Sequence, residues 1–231
     1  MTTPTAYPSS RLLTARLGAF VGDVREAVGR GLAPDVTAYL VGERLAPHLG
    51  ADDLLTPEQR AGDPDRYRQH ILHAEPDGSF SIVALVWLPG QRTAIHDHVS
   101  WCVTGVHEGE EHERRYRLVP DGPGSRLIAV EDVVNPRGAV CGFAPPGDIH
   151  RVWNACGTKA ISIHVYGADI ARLGSSVRRV YDLPTADDRL PKANGHLSTA
   201  DDHLSTADGH LPTADDHLST ANGHLPTADG Q

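Results

Sequence analysis

From Tyr67 onward the chain breaks into short segments rich in β-branched residues, SFSIVALVW, WCVTGVHEG, RRYRLV, SRLIAVEDVV and AISIHVYG, each bounded by Gly, Pro or Asp. Strands of this length and spacing stabilise one another as a sandwich or barrel, so residues 67–182 predict a mainly β body, with a jelly-roll barrel among the options.

What flanks this body differs on the two sides. Residues 1–66 predict a helical segment that packs on the barrel. Leu13, Leu17, Phe20, Val21, Val24 and Val28 recur at helical spacing, and a second set, Val36, Leu40, Val41 and Leu45, follows Pro34. Thr56-Pro57-Glu58-Gln59 has the form of a capping box with Pro in the first turn, and predicts a short third helix. Residues 183–231 repeat every seven residues, with leucines at 183, 190, 197, 204, 211, 218 and 225. A heptad seam needs two apolar positions per repeat and good helix formers between them. Each unit here offers one Leu among Ser, Thr, Asp, Asn, Pro and Gly, so the segment predicts a disordered tail rather than a coiled coil. Its five histidines read either as a weak metal-gathering tract or as a by-product of repeat expansion.

Composition narrows the function. The net charge of -9 over 231 residues argues against nucleic acid as a partner, because phosphate binding needs a Lys/Arg excess. The tail's eight Asp against Arg189 and Lys192 account for most of that charge and leave the remainder near neutral. No apolar run approaches the roughly 18–20 residues that span a bilayer, and the first residues lack a secretory apolar stretch. With three cysteines, Cys102, Cys141 and Cys156, the chain reads as cytoplasmic with free thiols.

Two clusters carry chemistry. Gly90-QRTAI-His96-Asp97-His98-VSW-Cys102-VTGVHE-Gly109 holds two histidines at i and i+2. On a strand these share one face and can reach one ion, and His is the commonest ligand for a divalent transition metal. Pro145-Pro146-Gly147-Asp148-Ile149-His150 leads from a turn into a third histidine at the start of a strand, four residues before Asn154. Ser162, His164 and Tyr166 alternate with Ile161, Ile163 and Val165, which gives one polar and one apolar face. Taken alone, that strand could equally be half exposed. Cys141 and Cys156 read as packing residues. His70, His73, His107 and His112 read as solvent-facing strand residues.

The two histidine clusters resemble the paired cupin motifs, with Cys102 where the first motif usually has glutamate. A three-histidine site followed by the Ser162-His164-Tyr166 row resembles the cupin thiol dioxygenases, the cysteine dioxygenase and 3-mercaptopropionate dioxygenase family, over about Tyr67 to Tyr181. The resemblance implies a double-stranded β-helix barrel in which His96, His98 and His150 bind Fe(II). It also implies a reaction in which O2 oxidises a small thiol to a sulfinic acid. Ser162, His164 and Tyr166 would form a catalytic hydrogen-bonded triad, and Cys102 with Tyr166 the pair able to form a thioether. For the substrate the resemblance implies Tyr67 and Gln69, with Gln69 standing where cysteine dioxygenases carry an arginine. Arg179 is the best match for the carboxylate-binding arginine of the 3-mercaptopropionate enzymes, with Arg172 or Arg178 as alternatives. Imidazoles also accept Zn, Cu, Ni and Co. A metal cupin of isomerase or hydrolase type, or a non-catalytic cupin that binds a small ligand, would fit the three histidines without needing the Ser-His-Tyr row.

Overall fold

The computed structural model describes residues 13–187. Two helices lead, α1 (Ala15–Gly29) and α2 (Pro34–Leu45). Thr14 opens α1 by accepting a hydrogen bond from the Leu17 amide at 3.1 Å. Pro34 occupies the first turn of α2, where its missing N–H costs nothing. The capping box forms as predicted: the Thr56 amide donates to Gln59 Oε1 at 2.9 Å and the Gln59 amide to Thr56 Oγ1 at 3.4 Å, although the helix it opens is a single 3-10 turn, Glu58–Arg60.

The strands follow: β1 (Arg68–Ala74), β2 (Ser81–Trp87), β3 (His96–His98), β4 (Cys102–Glu108), β5 (Glu110–Asp121), β6 (Gly124–Pro136), β7 (Val140–Phe143), β8 (His150–Trp153), β9 (Ala160–Tyr166), β10 (Val177–Val180) and β11 (Thr185–Asp187), with one helical turn, α3 (Ile170–Leu173), before β10. They form a five-stranded sheet in the order β1-β2-β9-β4-β7 and a six-stranded sheet in the order β10-β3-β8-β5-β6-β11. The body is mainly β and has the double-stranded β-helix architecture.

Three layers explain the burial pattern. Every residue of β2 and β9 is buried, which a two-layer sandwich with one wet face would not produce. Ile82, Ala84, Val86, Val103, Ile161, Ile163 and Val165 pack in one cluster with Leu17, Phe20 and Val24 of α1 and Val41 and Leu45 of α2. The alternate residues of the same strands, Val83, Leu85, Trp87, Cys102 and Tyr166, form a second cluster on the other face of this sheet. The apolar face of Ile161, Ile163 and Val165 therefore meets the helices, and Ser162, His164 and Tyr166 turn away from them. Gly105 permits the close approach of α2 to β4. A Cβ there would lie 2.6 Å from Leu45 Cδ2 and 2.9 Å from Leu49 Cδ1.

The tail read as beginning at residue 183 is corrected at its start. Thr185–Asp187 pair in parallel with Leu127–Ala129 of β6, and Leu183 packs with Ile95, Tyr116, Leu127 and Ile149. A leucine that finds an apolar cluster and a strand that finds a free edge supply what the repeat composition does not. The rest of that segment, 188–231, lies outside the described residues.

Candidate metal centre

The site begins with a pairing. β3 and β8 run antiparallel with His96 opposite His150, and the two-residue period of β3 puts His98 on the same face as His96. The three rings converge, with centroids 4.7 Å (His96–His150), 4.8 Å (His96–His98) and 5.0 Å (His98–His150) apart. One ligating nitrogen from each lies within 4.8 Å of the others.

Hydrogen bonds decide which nitrogen faces inward. His96 Nδ1 meets the Ala94 carbonyl oxygen at 3.0 Å, His98 Nδ1 meets Asp148 Oδ2 at 3.0 Å, and His150 Nδ1 meets Glu113 Oε1 at 2.8 Å. Carbonyl and carboxylate oxygens only accept, so each Nδ1 donates and each Nε2 keeps a lone pair. Asp148 also accepts the backbone N–H of His98 at 2.9 Å, and Glu113 is held in turn by Arg115 at 3.0 Å. This is the arrangement that fixes ring orientation and basicity in metal-binding histidines. Burial and the neighbouring imidazoles push His96 down to about 3, and burial lowers His98 as well, so both rings are neutral ligands at neutral pH. Three preoriented, buried imidazoles, each anchored through Nδ1 with Nε2 left to face the others, fit a divalent transition metal.

Opposite the trio, from the other sheet, comes the polar face of β9. Tyr166 Oη and His164 Nδ1 are 3.1 Å apart, His164 Nε2 and Ser162 Oγ 2.9 Å, and Trp87 Nε1 donates to Ser162 Oγ at 3.2 Å. The Tyr166 ring lies 6.1 Å from that of His98. Burial pushes the Tyr166 hydroxyl well above its ordinary range, so it stays protonated, and burial with the three other imidazoles pushes His164 down to about 3.

One small cavity of about 50 Å³ joins the trio to His164 and Tyr166, with Tyr67 and Gln69 on one wall and Ser175 and Ser176 on another. Tyr67 is fixed there by stacking on Trp87 at 4.6 Å. Arg179 is not in this cavity, nor is Arg178 or Arg172. β10 pairs with β3 through a register shift that sets Arg179 opposite Asp97, and its Nη2 donates to Asp97 Oδ2 at 2.8 Å, alongside Arg178 and Tyr181. Burial alone would raise the Asp97 carboxyl, but these three donors outweigh it and hold it well below the carboxylate range. The guanidinium expected to meet a substrate is thus spent on the buried carboxylate between two of the candidate ligands.

Asp148, Glu113, Ser176 and Glu111 escape a reading of motifs. Asp148 lies inside the second histidine cluster, two residues before His150, which is a usable signal. Glu113 and Glu111 alternate along β5 with outward-facing residues, and both are buried. Glu111 faces Ser162 and Trp87, and burial pushes its carboxyl up to about 7. Two other readings are corrected. His107 is buried rather than solvent-facing, with Nδ1 accepting from the Gly50 amide at 3.1 Å. Cys156 is half-buried and its thiol donates to Glu110 Oε1 at 2.9 Å.

Among the described residues no helix is long and apolar enough to cross a membrane. Several solved structures are similar to this chain. A protein with a double-stranded β-helix domain from Klebsiella pneumoniae is 16% identical, with a TM-score of 0.39 over 52% of this chain and 93% of that one. A Cupin 2 conserved barrel domain protein from Salinispora arenicola is 20% identical, with a TM-score of 0.36 over 52% and 92%. An RmlC-like cupin from Desulfovibrio desulfuricans is 23% identical, with a TM-score of 0.33 over 46% and 88%. The model of the family described as cysteine dioxygenase type I matches residues 60–173, a stretch that opens just ahead of β1, ends with α3 and takes in both histidine clusters and β9. Residues 60–173, just under half of the chain, are thus similar to the cysteine dioxygenase type I family.

Proposed function

We propose that this protein is a non-haem iron dioxygenase that oxidises the thiol of a small thiol carboxylate, 3-mercaptopropionate or L-cysteine, to a sulfinic acid. The observation that carries this reading is the convergence, in one cavity, of three imidazoles from one sheet and, from the other, of His164 and Tyr166, with Ser162 hydrogen-bonded to His164 behind them. An isomerase, a hydrolase or a simple binding cupin needs the first and has no use for the second.

His96, His98 and His150 would hold Fe(II) through Nε2. When bound, iron supplies Lewis acidity toward a thiolate and one-electron chemistry toward dioxygen. With no carboxylate among its three donors, the protein would bring no negative charge into direct contact with a divalent ion, so the site favours an anionic ligand such as a thiolate. Tyr166 keeps its proton and offers it to whatever occupies the cavity. His164 orients that hydroxyl, and Ser162, held by Trp87, fixes His164 in turn. The cavity holds only about 50 Å³, which leaves little room for water beside the reacting sulfur. Both oxygen atoms of O2 end on that sulfur.

No Arg or Lys lines the cavity among the described residues. The carboxylate of the substrate would therefore rest on neutral donors, the Gln69 amide, the Tyr67 hydroxyl and the Ser175 and Ser176 hydroxyls. A neutral amide lacks the charge and the two-pronged geometry of a guanidinium, which weakens selection for cysteine by its carboxylate. We therefore rank 3-mercaptopropionate at least level with L-cysteine. The test is oxygen uptake by iron-loaded protein on addition of each thiol, with the sulfinate identified by mass spectrometry. Uptake coupled to sulfinate is expected, and its absence with every small thiol would sink the assignment.

A further inference from the structure

A second group of ligating side chains lies on the outer face of the six-stranded sheet, away from the central cavity. β5 alternates there: Glu111 and Glu113 are 3% and 5% exposed and point inward, whereas Glu110 and His112 point outward and are half-buried. The turn between β8 and β9 brings Cys156 to the same place. Glu110 Oε1 is 3.1 Å from His112 Nε2 and 2.9 Å from Cys156 Sγ, and the three ligand atoms all lie within 4.8 Å of one another.

We propose that Glu110, His112 and Cys156 form a second metal site that takes one borderline-soft divalent cation of the zinc type. A carboxylate, an imidazole and a thiol are donors that such a cation accepts together, and a thiolate discriminates against Mg(II) and Ca(II). Bond lengths of about 2.0–2.3 Å to tetrahedral zinc require ligand atoms roughly 3.3–3.8 Å apart. The two pairs that share Glu110 Oε1 need only open slightly, and the trio as a whole needs only small side-chain movements.

The frame that presents these groups is rigid. Asn154, fully buried, donates to the Trp87 and Thr158 carbonyl oxygens at 3.1 and 2.7 Å, and its Oδ1 accepts the Cys156 backbone N–H at 2.9 Å. Trp153 packs against the His112 ring at 5.6 Å. Two ligands thus sit on a paired strand and the third on a loop tied down at the residue itself. Cys156 also borders an open cleft of about 510 Å³, so a water molecule can complete the coordination.

The charges and protons balance. Glu110 is anionic, the His112 ring proton that faces Glu110 from Nε2 moves to Nδ1 to free the ligating lone pair, and binding replaces the Cys156 thiol proton, now directed at Glu110, with the metal ion. One proton goes to solvent for each cation bound, and the occupied site is electrically neutral. The central trio has three neutral nitrogens and no thiolate, so the two sites differ in the metals they favour.

Cobalt(II) titrated into the full-length, metal-stripped chain is the probe, because a thiolate bound to cobalt gives a near-ultraviolet charge-transfer band that imidazole and carboxylate do not. Two equivalents of cobalt should develop this band in the wild type, and one equivalent should suffice in His150→Ala, in which the central trio is broken. Zn(II) should displace it. Cys156→Ser should abolish the band, and His112→Gln should weaken binding at least about tenfold, as loss of one ligand from such a set does. Lowering the pH by one unit below the thiol's titration should weaken it about tenfold, the signature of one released proton. A wild type without the band overturns the proposal, as does a band of undiminished intensity in Cys156→Ser, which would trace the sulfur to Cys102 or Cys141.

Discussion

Tyr166 stands directly across the antiparallel β4–β9 pairing from Cys102, and both side chains belong to the same buried cluster, within hydrogen-bond reach of each other. Directly opposed residues on one sheet face have Cβ atoms about 4.5–5.5 Å apart, so their side chains meet. A thioether between Cys102 Sγ and the ring carbon beside the Tyr166 hydroxyl would remove one hydrogen from each, with O2 as the oxidant. A cross-linked peptide lighter by two hydrogens is expected in iron-loaded protein after turnover, and it should be absent from Cys102→Ser. Recovery of only the separate peptides after prolonged turnover would count against it.

Glu113 and Asp148 orient candidate ligands from the Nδ1 side of the His150 and His98 rings. Glu113→Gln keeps the shape but turns the strongest acceptor of the His150 Nδ1 proton into a weaker one, and Asp148→Asn does the same for His98. Each change should weaken metal binding by about 10- to 100-fold. Metal content after dialysis against a graded chelator reads this directly. Retention equal to that of the wild type in both variants would mean that the rings are held by packing alone.

The strand-borne part of this site was legible because a two-residue period is local. His96 with His98, and Ser162 with His164 and Tyr166, declare a shared face from sequence alone, and Ile161, Ile163 and Val165 declare the opposite one. What escaped depends on register between distant strands. Glu113 reaches His150 only because β5 pairs with β8 through Arg115 opposite His150. Arg179 leaves the cavity because β10 adds to the edge of β3 with a shift, and a buried Asp97 offers it a charge. Leu183 read as tail because composition describes a segment's average, while the cluster it joins is assembled from Ile95, Tyr116, Leu127 and Ile149.

Arg179 and Gln69 should therefore separate cleanly. Arg179→Ala is expected to change KM for either thiol by no more than about twofold. It should lower stability by only about 1 kcal/mol, since its side chain is 57% exposed and Arg178 and Tyr181 remain on Asp97. Gln69→Arg should raise kcat/KM for L-cysteine relative to 3-mercaptopropionate by supplying the missing charge. A large KM effect in Arg179→Ala, with none in Gln69→Arg, would return the carboxylate to the arginine.

Two truncations test the end of the body. A chain ending at Asp187 keeps β11 and Leu183, and a chain ending at Asp182 loses both. The shorter chain should be less stable by about 1–2 kcal/mol, the order expected for half-burying one leucine and adding a short ladder. Chemical denaturation of the pair measures the difference. Equal midpoints would show that the β6–β11 pairing contributes nothing.

Glu111 gives the last prediction, a pH dependence with a defined sign. Its buried carboxyl titrates near 7 in the folded protein against an ordinary value of 4.5, so the folded state binds the proton more tightly than the unfolded chain does. Between those two values the unfolded chain has already released this proton while the folded protein still holds it, and the contribution of Glu111 to stability falls as pH rises from about 4.5 to about 7. Above 7 both states are ionised and the loss is complete. Glu111→Gln stays neutral throughout and removes this slope. The stability of the variant relative to wild type should therefore increase across that window, by something on the order of 1–3 kcal/mol in total. The buried histidines slope the other way but are common to both proteins, so the difference isolates Glu111. The same variant also reports on the row above it. Ser162 faces this carboxyl, so replacing an ionisable group with a fixed amide should flatten any limb of the kcat profile near pH 7 while leaving KM for the thiol in place. A stability difference independent of pH would show that Glu111 titrates as an ordinary carboxylate and has no part in the proton balance of the site.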